Sequence, residues 1–236
     1  MILDIYKDSL EFASKKISIL LIMGVLSFFN FLIIPLVFFF GYNYRVIKLS
    51  TQSMINVDAV PPDFSDLKGM FIDGLKYLVV YIVYEIIPII VIVASGIIKN
   101  STLYLVGIIL VLIFSLFAFL AVPHMAANND SLKSAFEISK IKEIMSFIGY
   151  GKYLLAYIGI LLFTIAVFIV VTLIIALIFS VLGIAALSLS AGGLGQASGI
   201  GFVGMIITNI VMLFIVAPYM SLFQNRCQGL IYNLRG

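Results

Sequence analysis

The sequence predicts an all-α membrane protein, a polytopic bundle of about five apolar segments with amphipathic helices that lie at the membrane interface. Of its 236 residues, 63% are hydrophobic and only 11% are charged. Soluble domains are about 45–50% apolar and about 25% charged. A soluble core of this length cannot bury so much apolar surface, because the ratio of surface to volume limits the buried fraction. The solvent for most of the chain is therefore lipid.

Five apolar stretches are long enough to cross about 30 Å of hydrocarbon, which takes about 20 helical residues. They cover residues 17–40, 75–98, 103–122, 153–182 and 200–223. Each is predicted to be a helix, since an isolated spanning segment has to satisfy its own backbone hydrogen bonds. The fourth stretch is too long for a helix perpendicular to the membrane, so we predict that it tilts or breaks near Gly183.

Amphipathic pieces precede the first, second and fourth stretches, at residues 4–16, 63–76 and 131–147. Each mixes acids, lysines and apolar residues at helical spacing, a pattern typical of helices in the headgroup layer. Asp63 or Ser65 is the predicted cap of the second piece, since it comes just before the helical pattern.

The chain also contains an internal repeat. FIDGLKYLVVYI (71–82) aligns without gaps on FIGYGKYLLAYI (147–158), with identical residues at seven of twelve positions. Lys76 and Tyr77 then correspond to Lys152 and Tyr153, and we predict that both pairs anchor a span at the interface.

The repeat predicts a single membrane domain over 1–236 with three parts. Residues 1–48 hold the N-terminal amphipathic helix and the first apolar segment. Residues 63–127 and 131–225 are the two hairpin units.

Orientation follows from the basic residues. In a plain five-span topology the loops 41–74 and 123–152 share one face with the C-terminus, and this face holds most of the Lys and Arg residues. The positive-inside rule therefore predicts that both loops and the C-terminus are cytoplasmic in a multi-pass protein of the cell membrane.

The first apolar segment has two possible topologies. If it spans, Lys15 and Lys16 lie outside. If it bends near Asn30 and Pro35 and returns to the same face, only Lys99 remains outside. The sequence leaves the two topologies, and the side of the N-terminus, open.

Three stretches of the sequence carry a resemblance to a known family. They are IPLVFFFGYNYRVIK, PPDFSDLKGMFIDGLKYL and NRCQGLIYN, with Gly41-Tyr42, Arg45 and the Pro62–Asp63–Phe64 turn as the most specific features. The pattern resembles an archaeal membrane-protein family catalogued as domain of unknown function 4013. The resemblance implies a multi-span protein without an assigned biochemical activity, and it adds no catalytic residues.

Glu85 is the one acid in the apolar run YIVYEIIPII, about ten residues or about 15 Å inside the second stretch. We expect it to point into the bundle as a neutral carboxyl. Asn30, Asn209, Thr164 and Ser115 are further polar residues near mid-span. One interpretation gathers all five residues into a proton-coupled or solute-binding site. The other treats the amides and hydroxyls as hydrogen bonds between helices.

No pattern indicates catalysis, a cofactor or a metal. Cys227 is the only cysteine and His124 the only histidine, so the chain can form neither a CxxC site nor a cluster of imidazoles. No basic run interleaved with aromatic residues suggests nucleic acid as a partner. We therefore expect no enzyme, no cofactor and no bound nucleic acid.

The leading functional hypothesis is a non-enzymatic scaffold or accessory protein that organises lipids or partner proteins. Its partners would be the lipid bilayer, together with other membrane proteins or further copies of the chain. The alternative is a small-solute or ion permease in which Glu85 couples protons. A polar tunnel that reaches Glu85 would favour the permease, and a solid core would favour the scaffold.

Overall fold

The computed structural model of the chain describes the backbone of residues 1–56, 58–189 and 193–235, and the side chains outside 184–198 within those ranges. The described residues form ten α-helices, a π-helical turn at Met212–Val216 and a final 3-10 turn at Asn233–Arg235. The helices are α1 (Ile2–Ser14), α2 (Ile17–Phe28), α3 (Ile33–Thr51), α4 (Leu67–Ile98), α5 (Ser101–Ala127), α6 (Leu132–Ala135), α7 (Ile138–Ile148), α8 (Tyr150–Leu189), α9 (Gly193–Val211) and α10 (Ala217–Tyr232).

Four helical runs in the described part of the chain are long and apolar enough to cross a membrane. They are Leu67–Ile98, Ser101–Ala127, Tyr150–Gly183 and Gly199–Arg235. A fifth apolar helix, Ile17–Phe28, is shorter. The prediction of an all-α membrane helix bundle is confirmed.

The first apolar segment is a helical hairpin. α2 has 12 residues and is therefore about 18 Å long, too short for about 30 Å of hydrocarbon. Just before α2, Lys15 and Lys16 form ion pairs with Asp58 (2.5 Å) and Asp63 (2.6 Å), which follow the end of α3. α2 therefore begins at the end of the bundle where α3 finishes, so the segment returns to the face from which it started.

The sequence explains the turn of this hairpin. The helix stops at Phe28 and resumes at Ile33, with Asn30 between the two. Asparagine competes for backbone hydrogen bonds and favours turns. Pro35 lies in the first turn of α3, where the missing N–H of proline removes no helical hydrogen bond.

The second amphipathic piece is continuous with its span, because α4 runs from Leu67 to Ile98 without interruption. Its cap is Asp66, whose carboxylate accepts a hydrogen bond from the backbone N–H of Gly69 (3.1 Å). The prediction of Asp63 or Ser65 as the cap was wrong. The carboxylate of Asp63 instead forms an ion pair with Lys16. The backbone carbonyl of Ser65 accepts a hydrogen bond from Arg45.

α8 is 40 residues long and passes through Gly183 without a break, so of the two predicted alternatives the break near Gly183 is wrong, and the tilt stays a prediction. An interior glycine costs a helix only about 1 kcal/mol relative to alanine, and the strong helix formers around this one offset that cost. Forty residues reach about 60 Å, about twice the hydrocarbon thickness.

The last span contains the π-helical turn Met212–Val216. Pro218 lies just after it and has no N–H to donate to the carbonyl of Phe214. A π turn is a common response where the regular hydrogen-bond ladder is interrupted. Gly24 of α2 packs here, so closely that a Cβ at Gly24 would lie 2.6 Å from the Phe214 carbonyl oxygen.

Candidate functional site

A cavity with several polar side chains in its wall lies between α4, α5, α8 and α10. Its volume is about 190 Å³. The residues that line it are Tyr77, Tyr81, Ser115, Phe119, Tyr157, Ile160, Leu161, Gln224, Asn225 and Gln228. Tyr81 and Tyr157, which correspond in the predicted repeat, both lie in this wall. The repeat itself stays a prediction.

A second cavity of about 310 Å³ adjoins the first and shares Tyr77, Gln224 and Asn225 with it. Its other lining residues are Phe39, Phe40, Asn43, Thr164, Phe168, Ala217, Met220 and Ser221. Phe39, Phe40 and Phe168 are only half-buried, so this cavity extends to the outer surface of the bundle. The two neighbouring cavities share three wall residues and together make up the region of the candidate site.

Two of the five predicted polar residues lie in this region. The hydroxyl of Tyr157 donates to Ser115 Oγ (2.9 Å) in the first cavity. The amide of Gln224 donates to Thr164 Oγ1 (2.9 Å) in the second. Both hydroxyls are therefore held by side chains of neighbouring helices.

The other three predicted residues lie elsewhere. Glu85 is half-buried on α4 and lines neither cavity. Asn30 is exposed in the turn between α2 and α3. Asn209 is exposed on α9, and its amide donates to the carbonyl of Met205 in its own helix. Glu85 therefore shares neither of these cavities with Asn30 or Asn209.

The predicted anchors Lys76, Tyr77, Lys152 and Tyr153 differ in their surroundings. Lys76 Nζ donates to the backbone carbonyl of Asp130 (3.0 Å). Lys152 is half-buried. Both tyrosines are buried, Tyr77 stacked between Phe40 and Tyr81, and Tyr153 with its hydroxyl on the Leu116 carbonyl. Anchoring at the interface stays a prediction, and the tyrosine rings themselves belong to the core.

The polar end of the bundle is held by ion pairs. Arg45 contacts Asp73 (3.1 Å) and Asp66 (3.4 Å), and Lys48 contacts Asp130 (2.5 Å). Burial raises the pKa of Asp130, but hydrogen bonds from Lys48 and Tyr44 outweigh burial and leave this pKa below its ordinary value. Asp130 therefore stays ionised and joins α3 to the loop after α5.

The most buried of these contacts joins the two ends of the chain. Arg226 of α10 is fully buried, and its Nε donates to Asp8 Oδ1 of α1 (2.8 Å). Asp8 Oδ2 accepts the backbone N–H of Asn56 (2.7 Å). The guanidinium carbon also lies 5.0 Å from the ring centre of Phe12. This contact fixes α1 against α10 and the loop after α3.

The sequence analysis did not predict the polar cavity residues Asn43, Ser221, Gln224, Asn225 and Gln228. Gln224, Asn225 and Gln228 follow residue 223, where the predicted fifth span ends, so none of them is a mid-span polar residue. Gln224 and Gln228 are four residues apart and share a helix face, so their spacing in an apolar context was the available signal.

In the described part of the chain, no three His, Cys, Asp or Glu side chains are grouped so as to hold a metal ion. The family model described as "Protein of unknown function (DUF4013)" matches residues 27–180, more than half of the chain. No curated protein and no solved structure matches the sequence.

Proposed function

The chain belongs to the DUF4013 family, and from this membership and its spanning helices we propose a non-enzymatic integral membrane protein that organises lipids or partner proteins. The family description assigns no activity, so the proposal depends on the surfaces that the chain offers. One of these, the α8–α9 hairpin, supports it most directly.

The α8–α9 hairpin is scarcely covered by the rest of the chain. In the most apolar stretch of α8 only 6% of the residues are buried, compared with 33% in α5. Leu173 and Leu177 are 61% and 66% exposed. The two helices pack together where Gly204 meets the ring of Phe179. A hairpin with this much apolar surface needs lipid or another apolar surface around it.

A cross-linking experiment tests this proposal. We expect a photo-reactive residue at position 173 or 177 to give a discrete adduct with a partner protein, a second copy or one class of lipid. The matched control is position 109 on α5, where Ile109 is 55% exposed. The scaffold proposal fails if positions 173 and 177 give the same diffuse lipid adducts as position 109.

A permease is the second candidate, and the polar cavity favours it. Glu85 does not line that cavity, which weakens its role as the coupling residue. Flux through proteoliposomes that Glu85→Gln abolishes, with the fold retained, would favour the permease over the scaffold.

We further propose that the ion-paired end of the bundle faces the cytoplasm. The return of the first segment puts Lys15 and Lys16 at this end, together with Arg45, Lys48 and Lys76. Lys99 lies at the other end, in the turn between α4 and α5. This distribution agrees with the positive-inside rule.

Cysteine labelling from outside intact cells tests the orientation. Cys227 is fully buried, so the native chain gives little background. We expect Ser14→Cys, Met54→Cys and Ser146→Cys to be protected and Ser101→Cys to react, since all four positions are exposed in the structure. Labelling of Met54→Cys or Ser146→Cys from outside would show that the ion-paired end faces outward and would contradict the proposed orientation. Opposite behaviour of Ser14→Cys and Met54→Cys would contradict the returning hairpin.

A further inference from the structure

The cavity between α4, α5, α8 and α10 is polar but carries no formal charge. Neither it nor the adjoining cavity has an Asp, Glu, Lys, Arg or His among the described residues that line it. An ion placed there would lose its hydration without gaining a counter-charge, which is strongly unfavourable. The occupant that fits this cavity is therefore uncharged.

The amides of α10 determine which hydrogen bonds the occupant has to make. Each donates one N–H within the protein: Gln228 to the Phe119 carbonyl (2.7 Å), Gln224 to Thr164 Oγ1 (2.9 Å) and Asn225 to Ser221 Oγ (3.3 Å). Within the described part of the chain, no donor reaches their side-chain oxygens. These oxygens are accessible rather than buried, and each amide keeps a second N–H, so an occupant with hydroxyl groups, which both donate and accept, would satisfy them.

The remaining wall is aromatic. The rings of Tyr77 and Tyr81 stack at 4.7 Å, and Phe119 meets Tyr157 edge-on at 5.3 Å. Ligand sites commonly combine such apolar surfaces with a few polar groups that fix orientation. The volume of about 190 Å³ is well above the about 10–15 Å³ that a single water molecule needs, so a small group fits.

We propose that this cavity binds an uncharged group that carries several hydroxyls, as a free polyol or sugar or as the headgroup of a neutral glycolipid. With Lys76 at the interface, as the sequence predicts, Tyr81 lies five residues or about 8 Å deeper along α4, within reach of a lipid headgroup. The second cavity shares three wall residues with the first and lies at the side of the bundle. This proposal is independent of the scaffold role, which depends on the α8–α9 hairpin.

The test uses the full chain in phosphatidylcholine nanodiscs. Binding of inositol is measured by equilibrium dialysis, and retention of glucosyl diacylglycerol during purification by mass spectrometry. The charged comparison is glycerol 3-phosphate. The chain contains no tryptophan, so Leu161→Trp in the cavity wall provides a second measurement by fluorescence. We expect inositol or the glycolipid to bind and glycerol 3-phosphate not to bind.

Three variants test whether the binding takes place in the cavity. Tyr81→Phe and Gln224→Leu should weaken binding about tenfold or more, because each removes one hydrogen-bonding group from the wall. Tyr84→Phe is the matched control, since its hydroxyl donates to the Ala135 carbonyl outside the cavity. Inositol binding would identify a free polyol, and glycolipid retention alone a headgroup.

Three outcomes would overturn the proposal. The first is that neither inositol nor glycolipid binds. The second is that glycerol 3-phosphate binds as tightly as inositol. The third is that Tyr84→Phe weakens binding as much as Tyr81→Phe does.

Discussion

Replacing Asp8 with alanine should lower the free energy of unfolding by about 3–5 kcal/mol, the usual cost of removing one partner from a buried ion pair. The guanidinium of Arg226 is fully buried, and no hydrogen-bond partner in the described part of the chain reaches its two terminal nitrogens. Without Asp8 the charge keeps no counter-ion. The Asn56 N–H loses its acceptor at the same time. The measurement is denaturant unfolding in mixed micelles.

The control for this variant is the exposed pair of Lys15 and Asp58. Asp58 is 96% exposed, and pairs of this kind contribute at most about 1 kcal/mol. Asp58→Ala should therefore have little effect. Asp8→Ala combined with Arg226→Met should recover part of the loss, because no unpaired charge remains buried. Equal effects of Asp8→Ala and Asp58→Ala would show that the buried pair contributes no more than the exposed one.

Composition and apolar length were sufficient to predict the spans, because lipid as a solvent requires long, internally hydrogen-bonded apolar helices. They did not decide the topology of the first segment. The deciding contacts join Lys15 to Asp58 and Lys16 to Asp63 across more than forty residues. Such long-range pairs depend on the tertiary fold, and a count of charges along the chain does not contain them.

The candidate site was predicted in part. Ser115 and Thr164 lie in the cavity walls, whereas Glu85, the most conspicuous polar residue in the sequence, does not. A charge is easily noticed in an apolar run, but which helix face it occupies depends on packing. The amides Gln224 and Gln228 look ordinary at the end of a span, and they become a site only because α10 places them against α5 and α8.

Close contacts between helices at small residues were also hard to predict from the sequence. In the sequence, Gly195 and Gly199, and likewise Ala197 and Gly201, are four residues apart, a spacing of small residues that predicts a close approach of helices. Among the described residues, a Cβ added at Gly199 or Gly201 meets nothing within 4 Å, and the side-chain surroundings of residues 195 and 197 lie outside the described residues. A close approach of two helices is seen between Gly41 of α3 and Gly74 of α4.

Gly41→Ala should destabilise the protein by about 3 kcal/mol, at the upper end of the cost of overpacking a core. A Cβ at Gly41 would overlap the backbone carbonyl of Met70, and one at Gly74 would overlap that of Val37. A backbone atom inside a helix cannot move aside as a flexible side chain can, so the two helices have to separate. Separation would also disturb Tyr77, which follows Gly74 by less than one turn and lines both cavities.

Gly96→Ala is the matched control, because it lies in the same helix as Gly74 but has nothing within 4 Å of an added Cβ. We expect it to leave stability unchanged or to raise it by up to about 1 kcal/mol, the helix-propensity difference between the two residues. Gly74→Ala should behave as Gly41→Ala does. Thermal unfolding in detergent compares all three variants. If Gly41→Ala and Gly74→Ala unfold at the temperature of Gly96→Ala, the two helices tolerate a wider separation, and their close contact does not hold the cavity wall in place.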